Sequence, residues 1–319
     1  MRRRATLAVA IGFLFGTMVY PLWAAHMSVA LAGGDGAVPV LSITETPVLT
    51  YHSHRVLGNT YDTNDHIALA RDLRTIHAQG FQVVPLAWVV EWVVGQRDGS
   101  TLAKSVAITF DDGPDFDYYD LTHPQYGVQR SFYNILRDFQ VEFGASAQPH
   151  LHASSFVIAS PAARRELDAR DLWGRHWLSD RWWKAAHNSG IMDIYNHSWD
   201  HNHRDVTKVC EQSQHKGSFE VIDTLAECRC EVEQAANYIH QKIQPAWPGV
   251  FAYPWGQSSR YLRETCLPSL QDRHHALAAF GASGGYVTKT SPRWNLPRFV
   301  FGDGWHNSDE LIAILKGSQ

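Results

Sequence analysis

The stretch VAITFDDGPDF, residues 106–116, decides how this chain is read. Val106 to Phe110 is a run of apolar and β-prone residues that reads as a buried strand. It leads straight into Asp111 and Asp112, followed by Gly113 and Pro114. A turn explains Gly113 and Pro114, and Asp favours turns as well. A helix cap needs one carboxylate, not two. Two ionised carboxylates side by side repel each other and raise one pKa. A divalent ion beside them removes the repulsion and acidifies a nearby water toward a pKa of ~7. Taken alone, the turn reading stands beside the metal reading, and the surrounding sequence has to separate them.

Strand and helix patterns alternate on both sides of the stretch. Strands are expected at 47–51, 81–86, 106–110, 154–158, 191–195, 250–253, 276–280 and 299–301. Helices are expected at 66–79, 87–94, 128–139, from Pro161, and at 180–188, 219–243, 259–267 and 308–315. In the first, Ile67, Ala70, Leu73 and Ile76 share one face, and Gly80 is the stop signal. Repeated βα units argue for an α/β fold with a parallel sheet. Seven or eight such units favour a barrel or near-barrel over an open sheet. Functional side chains of such barrels stand at the C-terminal strand ends. Here those positions hold His52 and His54, Asp111 and Asp112, His197 and His201, then Pro254 and Trp255.

The totals bound the function classes. The 319 residues are 45% hydrophobic and 19% charged, an ordinary globular composition. A net charge of −4 shows no basic footprint, so nucleic acid is not an expected partner. Arg2 to Arg4 precede an apolar run from Leu7 to Tyr20, with small-residue exits at Ala24-Ala25 and Ala30-Leu31-Ala32. That is the pattern of a signal peptide, and the alternative is an uncleaved membrane anchor over residues 5–25. Residues 1–32 are therefore a leader or anchor, 33–46 a Gly-rich linker, and 47–319 one folded domain. Either way the domain is exported, to the periplasm or the extracellular space.

Cys210, Cys228, Cys230 and Cys266 agree with export, where disulfides are allowed. Cys228 and Cys230 diverge if they lie on a helix, so a bridge from Cys210 to one of them is plausible. A structural zinc site is disfavoured because no C-x-x-C spacing occurs, and free thiols stay open for the others.

Asn196 to His201 reads NHSWDH. His197 and His201, four apart, face the same side of a helical turn and can share one metal ion. With 18 His in the chain, such a spacing also arises by chance. Position favours chemistry, because this pair also follows a strand. Catalytic zinc takes three protein ligands and keeps one place open. His197, His201 and one carboxylate fill that quota, and the other carboxylate is free to accept a proton.

Thr109-Phe110-Asp111-Asp112-Gly113-Pro114, together with His197-Ser198-x-x-His201, resembles the polysaccharide deacetylases with NodB homology, carbohydrate esterase family four. The resemblance covers about residues 48–300, through motifs and βα order. It implies a distorted (β/α) barrel of about seven strands over the domain 47–319. It implies Asp111 as general base, and Asp112, His197 and His201 as ligands of one divalent metal ion. Zinc is the usual ion, with cobalt, manganese or nickel as substitutes. The implied reaction is removal of acetyl groups, N-acetyl first, from an acetylated cell-envelope or extracellular polysaccharide.

The departures from the family pattern are specific. The third motif usually reads R-P-P-Y, and its Arg orients the base. Here Ala252 stands at that place in Ala252-Tyr253-Pro254-Trp255, and Arg298 is the expected replacement. Pro254 and Trp255 are expected at the substrate, with the Trp255 N–H facing the oxyanion. The late L-x-H motif that carries the general acid is missing. Permuted, exported poly-N-acetylglucosamine deacetylases of the family carry that His on an N-terminal strand. Leu49-Thr50-Tyr51-His52 has the pattern, so His52 is the expected acid, with His306 in reserve.

Loops 115–128, 143–153 and 203–219 are expected on the active-site side. Their Tyr118, Tyr119 and Tyr126, with Trp173 and Trp177 nearby, either stack on sugars or pack the loops down. Two rival readings are a glycan-binding homologue without catalysis and an amidohydrolase acting on a non-sugar amide. Peptidoglycan, chitin-like oligomers, poly-N-acetylglucosamine and acetylated xylan are all compatible substrates.

Overall fold

A computed structural model describes residues 45–207, 210 and 215–317. The expected leader or anchor and most of the linker lie outside them, as does part of loop 203–219. The strands are β1 (Val48–Tyr51), β2 (Gln82–Val83), β3 (Ser105–Phe110), β4 (Leu121–His123), β5 (Gly127–Gln129), β6 (Ala153–Val157), β7 (Met192–Asn196), β8 (Val250–Ala252), β9 (Ala278–Phe280) and β10 (Phe299–Val300). Seven of them form a parallel path in the order β10-β1-β3-β6-β7-β8-β9. β2 and β6 share one edge of β3, with β2 on its first residues and β6 on its last, and β1 lies along the other edge. β4 and β5 form a separate antiparallel hairpin.

All six residues of β3 are buried, as in a parallel sheet whose two faces are both covered. The sheet curls into the distorted barrel that the resemblance implied. Its edges, β9 and β10, share no ladder with each other. The gap is bridged by the segment before β10. Leu296 N–H donates to the Ala279 carbonyl and Gly281 N–H to the Leu296 carbonyl; three residues later Phe299 and Val300 pair with β1. One segment thus changes partner from β9 to β1, and Arg298 lies at the change.

Local chemistry explains where expectation and structure part. The helix expected at 128–139 is Phe132–Phe143, because the Ser131 side chain caps it by accepting from Asn134 N–H. Val128 is instead exposed on the hairpin. The helix expected from 219 starts at Leu225, where Thr224 and Glu227 form a capping box. Phe219 and Ile222 are buried all the same, and plug the core from a non-helical segment. Loop 143–153 does not reach the active-site side. Gln148 donates to the Phe81 carbonyl and accepts from Val83 N–H, each at 2.8 Å, at the start of β2.

Both cysteine pairs are bridged, Cys210 to Cys230 and Cys228 to Cys266. Cys228 and Cys230 do point apart, each to its own partner. Among the described residues no helix is long and apolar enough to cross a membrane.

Beneath the seam between β1 and β10, the helix Asp65–Ala78 contributes the buried Asp72. Its carboxylate accepts from Tyr51 Oη at 2.8 Å, Tyr61 Oη at 2.5 Å and Trp305 Nε1 at 3.0 Å. Asp72→Ala strands three donors, all on residues at most 8% exposed. It is expected to lower unfolding free energy by about 3 kcal/mol or more, because each orphaned buried group costs about 1–3 kcal/mol. Urea denaturation checks this, and a loss under about 1 kcal/mol would contradict the network's role.

Candidate active site

The C-terminal ends of β1, β3, β7 and β8 open into one cavity of about 460 Å³. His52, His54, Asp111, Asp112, His197, His201 and Trp255 all line it. Of the residues singled out at strand ends, only Pro254 is not in its wall; it is buried immediately before Trp255.

Asp112 reaches the cavity through a backbone reversal. Asp112 and Gly113 both have left-handed φ, 71° and 67°. A Cβ on Gly113 would come within 2.5 Å of Val157 Cγ1, so only glycine fits there. One Asp112 oxygen then lies 3.5 Å from Nε2 of both His197 and His201. The other lies 3.7 Å from His54 Nδ1.

The two histidines are not on a helical turn. β7 ends at Asn196, and Ser198 and His201 have φ of 74° and 64°. Asn196 Oδ1 accepts from Ser198 N–H, and Ser198 Oγ accepts from His201 N–H. This folded-back loop brings the ring centroids to 5.0 Å.

The donor set fits a divalent ion. One ligand atom each from Asp112, His197 and His201 lie within 4.8 Å of one another. His197 Nδ1 lies 2.9 Å from the Ala252 carbonyl and donates to it, so its Nε2 presents a lone pair to the cavity. Burial lowers the His201 pKa to about 3, so that ring is neutral at ordinary pH. Burial acts to raise the Asp112 pKa, but His201, His54 and His197 outweigh it and hold the carboxyl low. Two imidazoles and one carboxylate with an open side are what catalytic zinc takes.

Asp111 faces a different partner. Arg298 Nη1 and Nη2 donate to its two oxygens at 2.7 and 2.8 Å. Arg298 is buried, its Nε donates to the Gly281 carbonyl at 2.9 Å, and its guanidinium lies 5.3 Å from the Phe156 ring centroid. Burial would raise the Asp111 pKa, but the charge of Arg298, followed by that of His197, holds it below the usual range. Asp111 also stands 4.0 Å from His197 Nε2.

The polysaccharide deacetylase family profile matches residues 98–266, just over half of the chain. The chain belongs to the polysaccharide deacetylase family. Deacetylases of this kind are hydrolases acting on carbon–nitrogen bonds other than peptide bonds. No curated protein matches the chain. Solved structures share its fold. IcaB from Ammonifex degensii is 20% identical with a TM-score of 0.56, over 86% of this chain and 97% of that one. The Streptococcus pyogenes deacetylase PplD in complex with acetate is 15% identical with a TM-score of 0.55, over 86% and 99%. A de-N-acetylase from Aggregatibacter actinomycetemcomitans is 15% identical with a TM-score of 0.55, over 86% and 100%.

In this deacetylase His52 and His306 are separated. His52 is in the cavity wall, its backbone N–H held by Asp65 Oδ2 at 2.8 Å. His306 is exposed beside Glu310 and lines another pocket. The indole of Trp255 is 43% exposed and meets the His201 ring edge-on at 4.3 Å, so it is not core packing.

Sequence reasoning missed Asp117. It is buried and accepts from Ser53 Oγ at 2.5 Å and Ser155 Oγ at 2.6 Å. It thereby joins the loop that carries His52 and His54 to the ends of β3 and β6. Nothing local signals it, because both partners are remote in sequence.

Burial raises the Asp117 pKa to about 8, in spite of the two hydroxyls. An unfolded Asp ionises near ~3.9. Between these values the folded state keeps a proton that the unfolded state has lost. Asp117's contribution to stability is therefore full below about pH 4 and falls as pH rises toward about 8. Asp117→Asn is expected to lose less melting temperature than the wild type between about pH 5 and 8. Equal losses in both proteins would argue against a protonated Asp117.

Proposed function

We propose that this protein removes N-acetyl groups from an exported or cell-envelope polysaccharide, with one divalent metal ion, zinc first, at Asp112, His197 and His201. The observation that carries the reading is the juxtaposition of that triad with Asp111, whose two oxygens are held by the Arg298 fork. That one of the similar structures binds acetate, the product of such a reaction, supports it. The two disulfides and the N-terminal leader pattern support export.

The residues divide the work. A bound divalent ion would supply Lewis-acid polarisation of the acetyl carbonyl and of a water. Asp111 accepts the proton of the attacking water. Its low pKa makes it a weak base that is ionised throughout the working range, which suits an already acidified water. Arg298 fixes the carboxylate in place and in charge, as the missing Arg at Ala252 would have done. The water oxygen bonds to the acetyl carbon, and negative charge grows on the carbonyl oxygen. The Trp255 N–H faces that charge, and Pro254 sets the turn that presents it. The carbon–nitrogen bond then breaks, and His52 delivers the proton that lets the amine leave.

Metal removal with a chelator is expected to abolish acetate release, and zinc to restore it. Asp111→Asn is expected to cost about 10²- to 10⁴-fold in kcat while keeping the metal, measured by acetate release and elemental analysis. His52→Ala should cost about 10²-fold on an acetamide and far less on an activated acetyl ester, whose leaving group needs no proton. Chelator-insensitive turnover, or full activity in Asp111→Asn, would sink the assignment.

A further inference from the structure

Five aromatic residues in or near the active-site loops could have stacked on sugar or packed the loops, and the structure separates them. Tyr118 stacks on Trp182 at 5.9 Å and packs on Tyr133. Tyr126 stacks on His123 at 4.9 Å. Trp177 rests on Phe116 at 5.2 Å. Tyr119 contacts Tyr118 and is 38% exposed. Trp173 is 48% exposed. Among the described residues, Trp173 and Trp255 are the two exposed tryptophans.

Trp255 and the two residues before Trp173 belong to the wall of one cavity. Trp255 lines it from the loop after β8. On another side the wall includes Asp171 and Leu172, at the end of the helix Pro161–Asp171. Trp173 follows Leu172 directly, so its Cα lies about 3.8 Å beyond that of a wall residue.

The Trp173 loop is built rather than loose. Its φ of 59° is costly for a bulky side chain. The conformation is held by Asp168, which is 4% exposed. One Asp168 oxygen accepts from His176 N–H at 3.0 Å and the other from Trp177 N–H at 2.6 Å. Its carbonyl accepts from Leu172 and Gly174 N–H. The indole meets the His123 ring at 4.8 Å and 90°, and the Trp177 ring at 6.2 Å. His123 Nδ1 is in turn fixed by Gln125 and Tyr126 N–H. A strained backbone and a braced ring, with about half the residue open, serve a ligand better than they serve the core.

We propose that Trp173 is a stacking platform for a pyranose ring of the polysaccharide, a second subsite outside the catalytic cavity. The proposal rests on the reading of the chain as a glycan deacetylase. The apolar face of a pyranose packs flat on an indole. Binding remote from the reacting bond holds ground state and transition state alike, so it acts on KM and leaves kcat.

The test uses the metal-loaded full chain, with N-acetylglucosamine pentamers of β-1,4 and β-1,6 linkage and a small activated acetyl ester. Trp173→Ala is expected to raise KM for the better pentamer about 3- to 10-fold, in line with about 0.5–1.5 kcal/mol for aromatic contacts, with kcat within about twofold. Turnover of the ester should be unchanged, and Trp173→Phe should recover most of the affinity. An unchanged pentamer KM in Trp173→Ala, or an equal loss on the ester, would overturn the platform. If the wild type deacetylates neither pentamer, the glycan reading itself has failed on these probes. Tryptophan fluorescence titration with the pentamers then decides the platform separately. A quench that Trp173→Ala removes supports it, and no quench in the wild type rejects it.

Discussion

The buried pair between Arg298 and Asp111 is the contact on which the rest of the site depends. One partner stands at the end of β3, the other in the segment that closes the barrel. Removing either leaves the other charge buried without compensation, at a cost of about 3–5 kcal/mol. Closure of the barrel and ionisation of Asp111 are therefore coupled. A lysine could not replace the fork, because a point charge cannot hold both carboxylate oxygens in one plane. The Phe156 ring under the guanidinium adds a further constraint that suits arginine.

The same closure explains how a family motif can be scattered. The family match ends at residue 266 and begins at 98, so neither His52 nor Arg298 falls within it. Yet β10, β1 and β3 are successive neighbours in the sheet. Position around the barrel, not order along the chain, decides which residues meet. A histidine carried just past the first strand and an arginine carried next to the last one both arrive beside β3.

Four aspartates within residues 111–117 show how partners, rather than residue type, set the role of a carboxylate. Asp111 has a guanidinium, and Asp112 has imidazoles. Asp115 takes Ser179 N–H and Arg181, and so ties down the loop beyond Trp177. Asp117 has two hydroxyls and no cation, and burial keeps its proton on to about pH 8. The first two are drawn to the cavity, and the last two hold the loops around it.

By itself the sequence determined the alternation of strands and helices, the placing of Asp111, Asp112, His197 and His201 at strand ends, and the family motif. These rest on short-range signals: apolar runs, Gly and Pro stops, and residues a few positions apart. It misplaced the starts of two helices, at 132 and 225, because apolar residues such as Val128 and Ile222 mimic helical faces while Ser131 and Thr224 supply the real caps. It also put loop 143–153 on the wrong side of the barrel and His197 and His201 on a helix. Only the tertiary structure decided the Arg298 fork, the Asp117 bridge and the strained loops at Asp112, Ser198 and His201. Their partners lie far away in sequence, 187 residues for Arg298 and Asp111, 64 for Ser53 and Asp117. Left-handed backbone of this kind is unfavourable locally and persists only where burial and long-range hydrogen bonds hold it.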